Sequence, residues 1–434
     1  MEKITTSHNR KITETVNRTI SVLTWITISL ATPIGLYAQR HKIYKDNIKS
    51  LQVVCGSNWL SLPVMQLHTE NPDNVIKISF DDLTHTYQRY TYSIEHCEAD
   101  WTISDGLFQS DYIEGFALDN TIDDVEESVG TNVLYTHYSL TIPNEQCKLK
   151  LSGNYKLTVK DDNTGEKILT ACFMVAEPTV SIGMEATTNT DIDTNKSHQQ
   201  VGITVRYNTL RVNDPATQIK SVVLQNRRWD NAKINTKPQY STIDGLQWTH
   251  NRELIFDAGN EYHKFETLAT SHATMGVDHL SWDDTNYHAW LYDNDPRPNY
   301  LYDEDADGAF YIRNSDNIDN DHTSEYILTH FTLNCPTPVS GEVYINGDWT
   351  YDRFDPQYKM TYNSEKNCYE ACIMLKQGYY SYQYLMLGSN GEPEIMPTEG
   401  NYFQTENKYS ALIYFRGQGE RTDRLVGYKE IQLK

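Results

Sequence analysis

The residues with the clearest potential for chemistry are three carboxylates in the sequence DEDADG. Asp303, Asp305 and Asp307, followed by Gly308, match the start of a calcium-binding loop, in which alternate acidic side chains supply oxygen ligands. Such a loop ends with a bidentate acid at its twelfth position, and that position here is Asn314. The motif also needs flanking helices, whereas the sequence YLYDEDADGAFYIRN reads as a hairpin with a tight Asp-Gly turn. We therefore predict a turn, with no metal site.

Patterns for catalysis and cofactor binding are missing from the sequence. The fourteen histidines are scattered, and none falls in an H-E-x-x-H spacing. The seven cysteines include no C-x-x-C pair, which argues against a zinc ribbon or a redox motif. There is no G-x-S-x-G elbow and no phosphate loop, and acidic pairs are too abundant for any to stand out as glycosidase carboxylates. We predict a non-enzymatic protein with no catalytic, cofactor-binding or metal-binding residues.

Two aromatic residues are candidates for contact with a partner or a glycan. Trp349 and Tyr351 follow the strand-like sequence GEVYINGD, and flat rings exposed on a loop can stack on sugars. The alternative is that Trp349 packs inside its own sandwich, because tryptophan is usually substantially buried. Trp101 and Trp229 have the same ambiguity.

The elements that must position these residues are β-strands. Residues 75–80 and 89–97 alternate between apolar and polar side chains, with Asp81 and Asp82 between them. This pattern predicts a hairpin with an acidic turn. Similar short runs recur along the chain with turn signals between them, as in immunoglobulin-like folds. We predict an all-β chain of tandem immunoglobulin-like β-sandwich modules after an N-terminal signal peptide.

The leader is predicted from a basic stretch, an apolar run at 20–36 and a small residue, Ala38, at the cleavage point. A retained membrane anchor is the alternative, but the run is short and interrupted for a spanning helix. No cysteine follows the run, so we expect no direct lipid anchor. The predicted domains are a signal peptide at 1–38, an N-terminal sandwich at 39–178, a middle β module at 179–323 and a C-terminal sandwich at 324–434.

Several details complete the predicted modules. We predict an acidic loop at 119–129 and a linker at 176–178, where a proline stiffens the junction. The strands YSALIYFR and DRLVGYKEIQL are assigned to the C-terminal sandwich, whereas YHKFETL is assigned to the middle module.

Charge and tyrosine content limit the classes of partner. The net charge of −22 argues against nucleic acid, whose phosphates need clustered lysine and arginine. It also argues against docking on anionic lipid. The 31 tyrosines against 11 phenylalanines suit half-exposed sheets and wet protein interfaces, although thin sandwiches also expose many strand faces.

A family resemblance extends over nearly the whole chain after the leader. The strings SFDDL, YTYSIEHCEADW, SDYIEGF, LYTHYSLTIPNE and LSGNYKLTV resemble the type IX secretion system plug protein family. The likeness continues through VVLQNRRWDNA, GNEYHKFE and PTEGNYFQTENKYSALIYFR. The C-terminal sequence GEVYINGDW followed by GYYSYQY is similar to glycogen- and starch-binding sandwiches.

The plug resemblance implies a periplasmic protein associated with the inner face of the outer membrane. Its implied partner is the outer-membrane type IX translocon barrel, whose periplasmic mouth it closes when no substrate passes. The C-terminal likeness implies an alternative, an exported carbohydrate-binding protein that acts through that module.

Overall fold

The architecture of the chain is a set of packed β-sandwiches. The computed structural model describes residues 41–433, so the predicted signal peptide lies outside the described residues. Within that range the chain forms three sandwiches, and these belong to one compact unit. The predicted all-β class of tandem sandwich modules is confirmed.

The first sandwich pairs two mainly antiparallel sheets around a core of alternating inward side chains, as the period of two requires. One sheet contains Tyr90–Cys97, Gly153–Asp161 and Lys167–Ala176 with the short strands Lys42–Ile43, Val64–Gln66 and Asn120–Thr121. The other contains Ile48–Cys55, Ile76–Asp82, Thr136–Ile142 and Asp124–Glu127. A small ribbon of Ile113–Gly115 and Cys147–Leu149 follows the helix Gln109–Tyr112.

The predicted acidic hairpin is wrong, although both of its strands exist. Ile76–Asp82 pairs with Ile48–Cys55 and Thr136–Ile142, whereas Tyr90–Cys97 pairs with Gly153–Asp161 in the facing sheet. The connection therefore crosses between sheets, and the acidic pair belongs to the first strand, where it is buried. The predicted acidic loop at 119–129 is also partly wrong, because it contains two short paired strands.

The middle sandwich combines residues that are distant in sequence. One sheet contains Ser181–Thr187, His198–Arg206, Gly245–Trp248, Tyr240–Ser241 and Ile255–Asp257. The facing strands are Lys233–Ile234, Ile219–Gln225, Lys408–Phe415 and Arg424–Gln432. Short helices lie at Pro215–Gln218 and Arg252–Leu254. The last two strands were predicted for the C-terminal sandwich, and this is corrected. Lys408–Phe415 pairs with Ile219–Gln225, Arg424–Gln432 pairs with Lys408–Phe415, and both share the core of the middle sandwich.

The third sandwich is built mainly from residues after 260. One sheet contains Val277–Trp282, Tyr287–Leu291, Tyr326–Asn334, Cys368–Lys376 and Thr361–Asn363. The other contains His263–Glu266, Gly378–Leu387, Phe310–Ile312, Glu342–Asn346 and Pro393–Ile395. Short helices lie at Asn320–Thr323, Asp348–Thr350 and Pro356–Tyr358.

Two sequence predictions for this sandwich need correction. The strand His263–Glu266, predicted for the middle module, pairs with Gly378–Leu387. The predicted hairpin around Asp307 does not form, because its second arm, Phe310–Ile312, pairs with residues 378–380 instead. A local turn signal identified the turn but not the partner of the strand that follows.

A shared sheet joins the first and middle sandwiches. Ala176, the last residue of its strand, pairs in parallel with Leu425, and the Glu177 amide donates to the Leu425 carbonyl at 2.8 Å. Arg424 also forms an ion pair with Glu177 at 3.0 Å. The predicted linker at 176–178 is therefore part of a rigid joint. Among the described residues, no helix combines the length and the hydropathy needed to cross a membrane.

Candidate functional site: the junctions and the exposed edge

Trp349 and Tyr351 lie inside the protein. Trp349 is 4% exposed, and its Nε1 donates to the Ser381 carbonyl of its own sandwich at 3.2 Å. Tyr351 is 9% exposed, has φ of 59°, and donates its hydroxyl to the Leu51 carbonyl of the first sandwich at 3.0 Å. Both rings are therefore largely buried. Tyr351 instead connects the third sandwich to the first.

A buried ion pair connects the same two sandwiches, and we call it the Asp81 junction. Lys376, at the end of its strand, donates to the Asp81 carboxylate at 2.6 Å, and the two side chains are 2% and 0% exposed. His137 and the Tyr326 hydroxyl donate to the same carboxylate, each at 2.6 Å. The Lys376 ammonium also lies 4.2 Å from the centre of the Tyr135 ring.

The partners determine the charge state of this carboxylate. Burial alone would raise the pKa of Asp81, but Lys376 and His137 outweigh it and hold the pKa below its ordinary value. Asp81 is therefore ionised at neutral pH. An ionised carboxylate needs its cation when no water reaches it, so this contact fixes one arrangement of the two sandwiches.

A second cluster, the Arg227 junction, connects all three sandwiches. Arg227 follows the strand Ile219–Gln225 with φ of 62° and forms an ion pair with Asp348 at 2.9 Å. Its guanidinium also donates to the Leu60 carbonyl at 2.6 Å and to the Ala306 and Asp307 carbonyls at 3.0 Å. A planar guanidinium can satisfy four such acceptors at once, which an ammonium cannot.

The neighbours of Arg227 extend this junction. Arg228 forms a bidentate pair with Asp230, with contacts of 3.0 and 2.6 Å. The Trp229 amide donates to Asp352 at 2.9 Å, and the Trp229 ring packs edge-to-face on Trp101 at 5.6 Å. Both tryptophans whose exposure the sequence left open are thus buried between sandwiches.

Acidic residues outnumber cations around Arg227. Burial and the nearby Asp230 raise the pKa of Asp352 to about 7. Burial and Asp307 raise the pKa of Asp305 to about 8. In the DEDADG sequence, Asp305 accepts hydrogen bonds from the Tyr262 and Asp307 amides, whereas Asp303 pairs with Lys264 at 2.5 Å. Asp303 and Asp305 thus bind different groups of the protein itself.

A cleft of about 700 Å³ opens beside Tyr351 between the first and third sandwiches. Its aromatic wall includes Trp349, Tyr351 and Tyr358, and its basic rim includes Lys42 and Lys49. A basic rim is unusual for a chain of net charge −22.

Exposed apolar side chains form a second surface feature, which we call the apolar edge. Residues 103–104 and 117–121 both run along the free side of the strand Tyr90–Cys97. The edge consists of Ile103, Phe116 and Leu118, and Phe116 is 70% exposed. Ala117 between them is buried, so Phe116 and Leu118 point outward together. This surface was not predicted, because apolar residues in a strand pattern do not indicate which of them stay exposed.

The fold and these junctions define the class of protein. It is a rigid protein of several β-sandwiches, in which the charged residues of the Asp81 and Arg227 junctions hold the sandwiches together. The family description "Type 9 secretion system plug protein 1st domain" matches residues 48–177. The chain belongs to the type IX secretion system plug protein family, as the resemblance of its strings implied. Its role is therefore connected with type IX secretion in the cell envelope, as a structural component of that system.

Solved structures provide a second comparison. The crystal structure of a hypothetical protein from Parabacteroides merdae ATCC 43184 is 39% identical, with a TM-score of 0.87, and the match covers 91% of this chain and 99% of that chain. The same arrangement of sandwiches thus exists in a related protein.

Two streptococcal structures are far more distant. The C-terminal domain of AspA from Streptococcus pyogenes is 9% identical, with a TM-score of 0.18 and coverage of 89% of this chain and 99% of that chain. The C-terminal domain of BspA from Streptococcus agalactiae is 8% identical, with a TM-score of 0.16 and coverage of 90% and 96%. No curated protein matches the chain.

Proposed function

We propose that this protein binds the periplasmic mouth of the outer-membrane type IX translocon barrel and closes it while no substrate passes. The observation that carries the proposal is the family match over residues 48–177. An exported chain would reach the periplasm through the predicted signal peptide and be held at the inner face of the outer membrane by its protein partner.

The build of the molecule supports a steric role. Closing a wide pore needs a body that does not deform. The three sandwiches are held together by a buried ion pair at the Asp81 junction and a partly buried one at the Arg227 junction. Breaking such a pair leaves an uncompensated buried charge, so independent motion of the sandwiches is unfavourable. The chain therefore meets its partner as one rigid body.

The apolar edge is the surface that we assign to the barrel. It lies in the domain that carries the family match, and aromatic side chains dominate binding energy at protein interfaces. An interface that must also dissociate needs a polar rim around these apolar contacts. Glu95 and Glu114, in the neighbouring strands, are suited to that rim.

The glycan-binding alternative loses its supporting feature. It depended on stacking by Trp349 and Tyr351, and both rings are buried. We therefore propose the translocon as the partner in preference to a carbohydrate.

The test is purification of the tagged chain from outer membranes, followed by identification of the proteins that co-purify. We expect the translocon barrel in the wild-type eluate. Phe116→Asp should reduce its recovery by about 30-fold, the value for loss of an interface anchor worth about 2 kcal/mol. Tyr240→Asp, at an exposed aromatic of the middle sandwich, is the matched control and should change nothing.

The two possible failures are distinguishable. If the barrel is absent from the wild-type eluate, the assignment as a plug is wrong. If the barrel is recovered equally with wild type and Phe116→Asp, the translocon remains the partner but another surface binds it.

A further inference from the structure

The cleft beside Tyr351 is bounded by two strand edges, and we call it the basic cleft. One wall includes residues 48–50 of Ile48–Cys55, which is the end strand of its sheet. The other wall includes residues 372–375 of Cys368–Lys376. Consecutive residues of a strand line one cleft when the backbone edge of that strand faces it, because alternate side chains point to opposite faces. Both strands therefore present their edges to the cleft.

The edge in the third sandwich has no strand partner along the cleft. Thr361–Asn363 pairs with Cys368–Lys376 only through residues 368–370, and no other described strand continues that pairing. On the opposite wall, in Ile48–Cys55, the Leu51 carbonyl already accepts a tyrosine hydroxyl. Unpaired N–H and C=O groups at an edge are a template for a further strand, and extended peptides bind proteins by adding to such an edge. The basic cleft therefore suits an extended peptide.

The rim of the basic cleft carries two ammonium groups without a carboxylate partner. Within the part of the chain that the structure describes, the half-buried Lys49 side chain forms no ion pair and no hydrogen bond. Lys42 lies over the Tyr44 ring at 4.6 Å and has no ion pair among the same residues. Burial lowers the pKa of Lys49, although Asp46 acts against it. A carboxylate from a ligand would supply the missing counter-charge.

The other charged side chains around the cleft are mostly paired with each other. Lys45 pairs with Glu166 at 2.5 Å, and Arg353 pairs with Asp355 through contacts of 2.8 and 3.2 Å. Asp46 is then the one carboxylate lining the cleft that has no ion pair, against two such ammonium groups. The net charge of −22 does not oppose an acidic ligand here, because charges beyond about 8 Å are screened at physiological ionic strength.

The aromatic wall sets a second requirement on the ligand. Trp349, Tyr351 and Tyr358 line a cleft of about 700 Å³, which is within the range of about 300–1,000 Å³ typical of ligand sites. An apolar side chain that enters beside these rings is removed from water, which favours binding. Because side chains alternate along a strand, an extended peptide can place one apolar side chain on this wall and carboxylates at the rim.

We propose that the basic cleft binds an extended acidic peptide of a partner protein, which adds as a strand to the free edge of Cys368–Lys376. Its carboxylates pair with Lys42 and Lys49, and one of its apolar side chains packs beside Tyr351. This site is separate from the apolar edge, which lies along the other sheet of the first sandwich. The proposal therefore holds whether or not the translocon barrel is the partner at the apolar edge.

Fluorescence anisotropy with a labelled peptide tests this assignment. The probe is a short peptide in which glutamate alternates with valine and phenylalanine, titrated with the purified chain at physiological ionic strength. We expect saturable binding. Lys49→Glu should weaken it by at least about tenfold, because an attraction is replaced by a repulsion, and Lys42→Glu should weaken it as well. Lys77→Glu, at an exposed lysine of the neighbouring strand Ile76–Asp82 outside the cleft, is the matched control and should change nothing.

Two altered peptides test the mode of binding without changing the protein. A peptide with N-methylated backbone keeps its carboxylates but cannot donate backbone hydrogen bonds, so it should lose binding if the peptide adds as a strand. A peptide with lysine in place of glutamate should not bind, because it meets the ammonium groups of the rim.

Several outcomes would overturn the proposal. They are no saturable binding of the glutamate peptide, equal binding of the lysine or the N-methylated peptide, and binding that neither Lys42→Glu nor Lys49→Glu weakens. A dimer of the chain that Lys49→Glu dissociates in sedimentation would assign the cleft to a second copy and would also contradict it. If Lys49→Glu does not fold, Lys42→Glu and the altered peptides still decide the question.

Discussion

The Asp81 junction and the Arg227 junction both bury charge between sandwiches, but they balance that charge differently. At the first, one carboxylate accepts from an ammonium, an imidazole and a hydroxyl. At the second, Arg227 and Arg228 face a larger number of carboxylates, among them Asp348 and Asp352. The pKa of Asp81 is accordingly lowered, whereas that of Asp352 is raised to about 7.

This difference shows that the two joints respond to pH in opposite directions. Asp81 stabilises the fold while it is ionised, and that stability is lost as the pH falls through its lowered pKa. Asp352 is uncharged in the fold at mildly acidic pH and becomes an unfavourable buried charge as the pH rises. The Asp81 junction therefore keeps its full stability at neutral pH, whereas the Arg227 junction becomes less stable as the pH approaches neutrality.

Removal of the cation from the Asp81 junction should have the largest effect. Lys376→Met leaves the buried Asp81 carboxylate without its ammonium partner, which costs about 3–5 kcal/mol. The midpoint of urea unfolding, multiplied by the shared m-value, measures this loss. Lys366→Met, which removes an exposed pair with Glu370 in the same sandwich, is the control and should give no measurable shift.

Adding Asp81→Asn to Lys376→Met should recover at least half of the loss, because the uncompensated charge is then gone. A single variant as stable as the wild type would show that water reaches Asp81.

The Arg227 junction should be less sensitive to a change that keeps its charge. Arg227→Lys retains one cation but loses most of the hydrogen bonds to Asp348 and to the three carbonyls. We expect a loss of about 3 kcal/mol, since a hydrogen bond to a charged group contributes about 1.5–3 kcal/mol and the ammonium recovers some of these contacts. If the free energy of unfolding falls by less than about 1 kcal/mol, an ammonium can replace the guanidinium at this position, and the difference in their geometry does not matter here.

The pH dependence of stability separates the two joints. The raised pKa of Asp352 means that the folded state holds a proton that the unfolded chain has lost above about pH 4. Stability should fall with rising pH by about 1.4 kcal/mol per unit from this group until about pH 7. Asp352→Asn should flatten the unfolding profile measured between pH 5 and 8, whereas a parallel profile would contradict the raised pKa.

An exposed pair in the same region should contribute least. Lys45 and Glu166 lie 2.5 Å apart, but their side chains are 39% and 62% exposed. Because solvent screens the pair, it contributes less than about 0.5 kcal/mol to the free energy of unfolding. Lys45→Ala should therefore barely change the midpoint of thermal unfolding. A change larger than about 1 kcal/mol would mean that distance, and not burial, determines the strength of these pairs.

Strand content was predictable from sequence, but strand pairing was not. The runs at 75–80 and 89–97 alternate cleanly, and alternation reports that one face is buried. It does not report which sheet supplies the partner, so two strands of facing sheets looked like a hairpin. The C-terminal strands were misplaced for the same reason, because Ile219–Gln225, the partner of Lys408–Phe415, lies about two hundred residues earlier.

The junctions were harder still to predict. The pair Asp81-Asp82 has the composition of a turn. The Asp81 carboxylate can be buried only because Lys376, 295 residues later in the chain, donates to it. For Trp349 the sequence left open whether the ring is exposed on its loop or packs inside its sandwich, and in the structure the ring packs on Tyr380. Polar residues that serve long-range contacts carry no periodic signal in the sequence.

The central claim, that this chain closes the translocon, is tested most directly by the conductance of the purified barrel in a planar bilayer. We predict that the chain, added to the periplasmic side, reduces the open conductance in a saturable manner, and that Phe116→Asp requires a higher concentration for the same effect. An open conductance that stays unchanged at saturating wild-type chain would contradict the account.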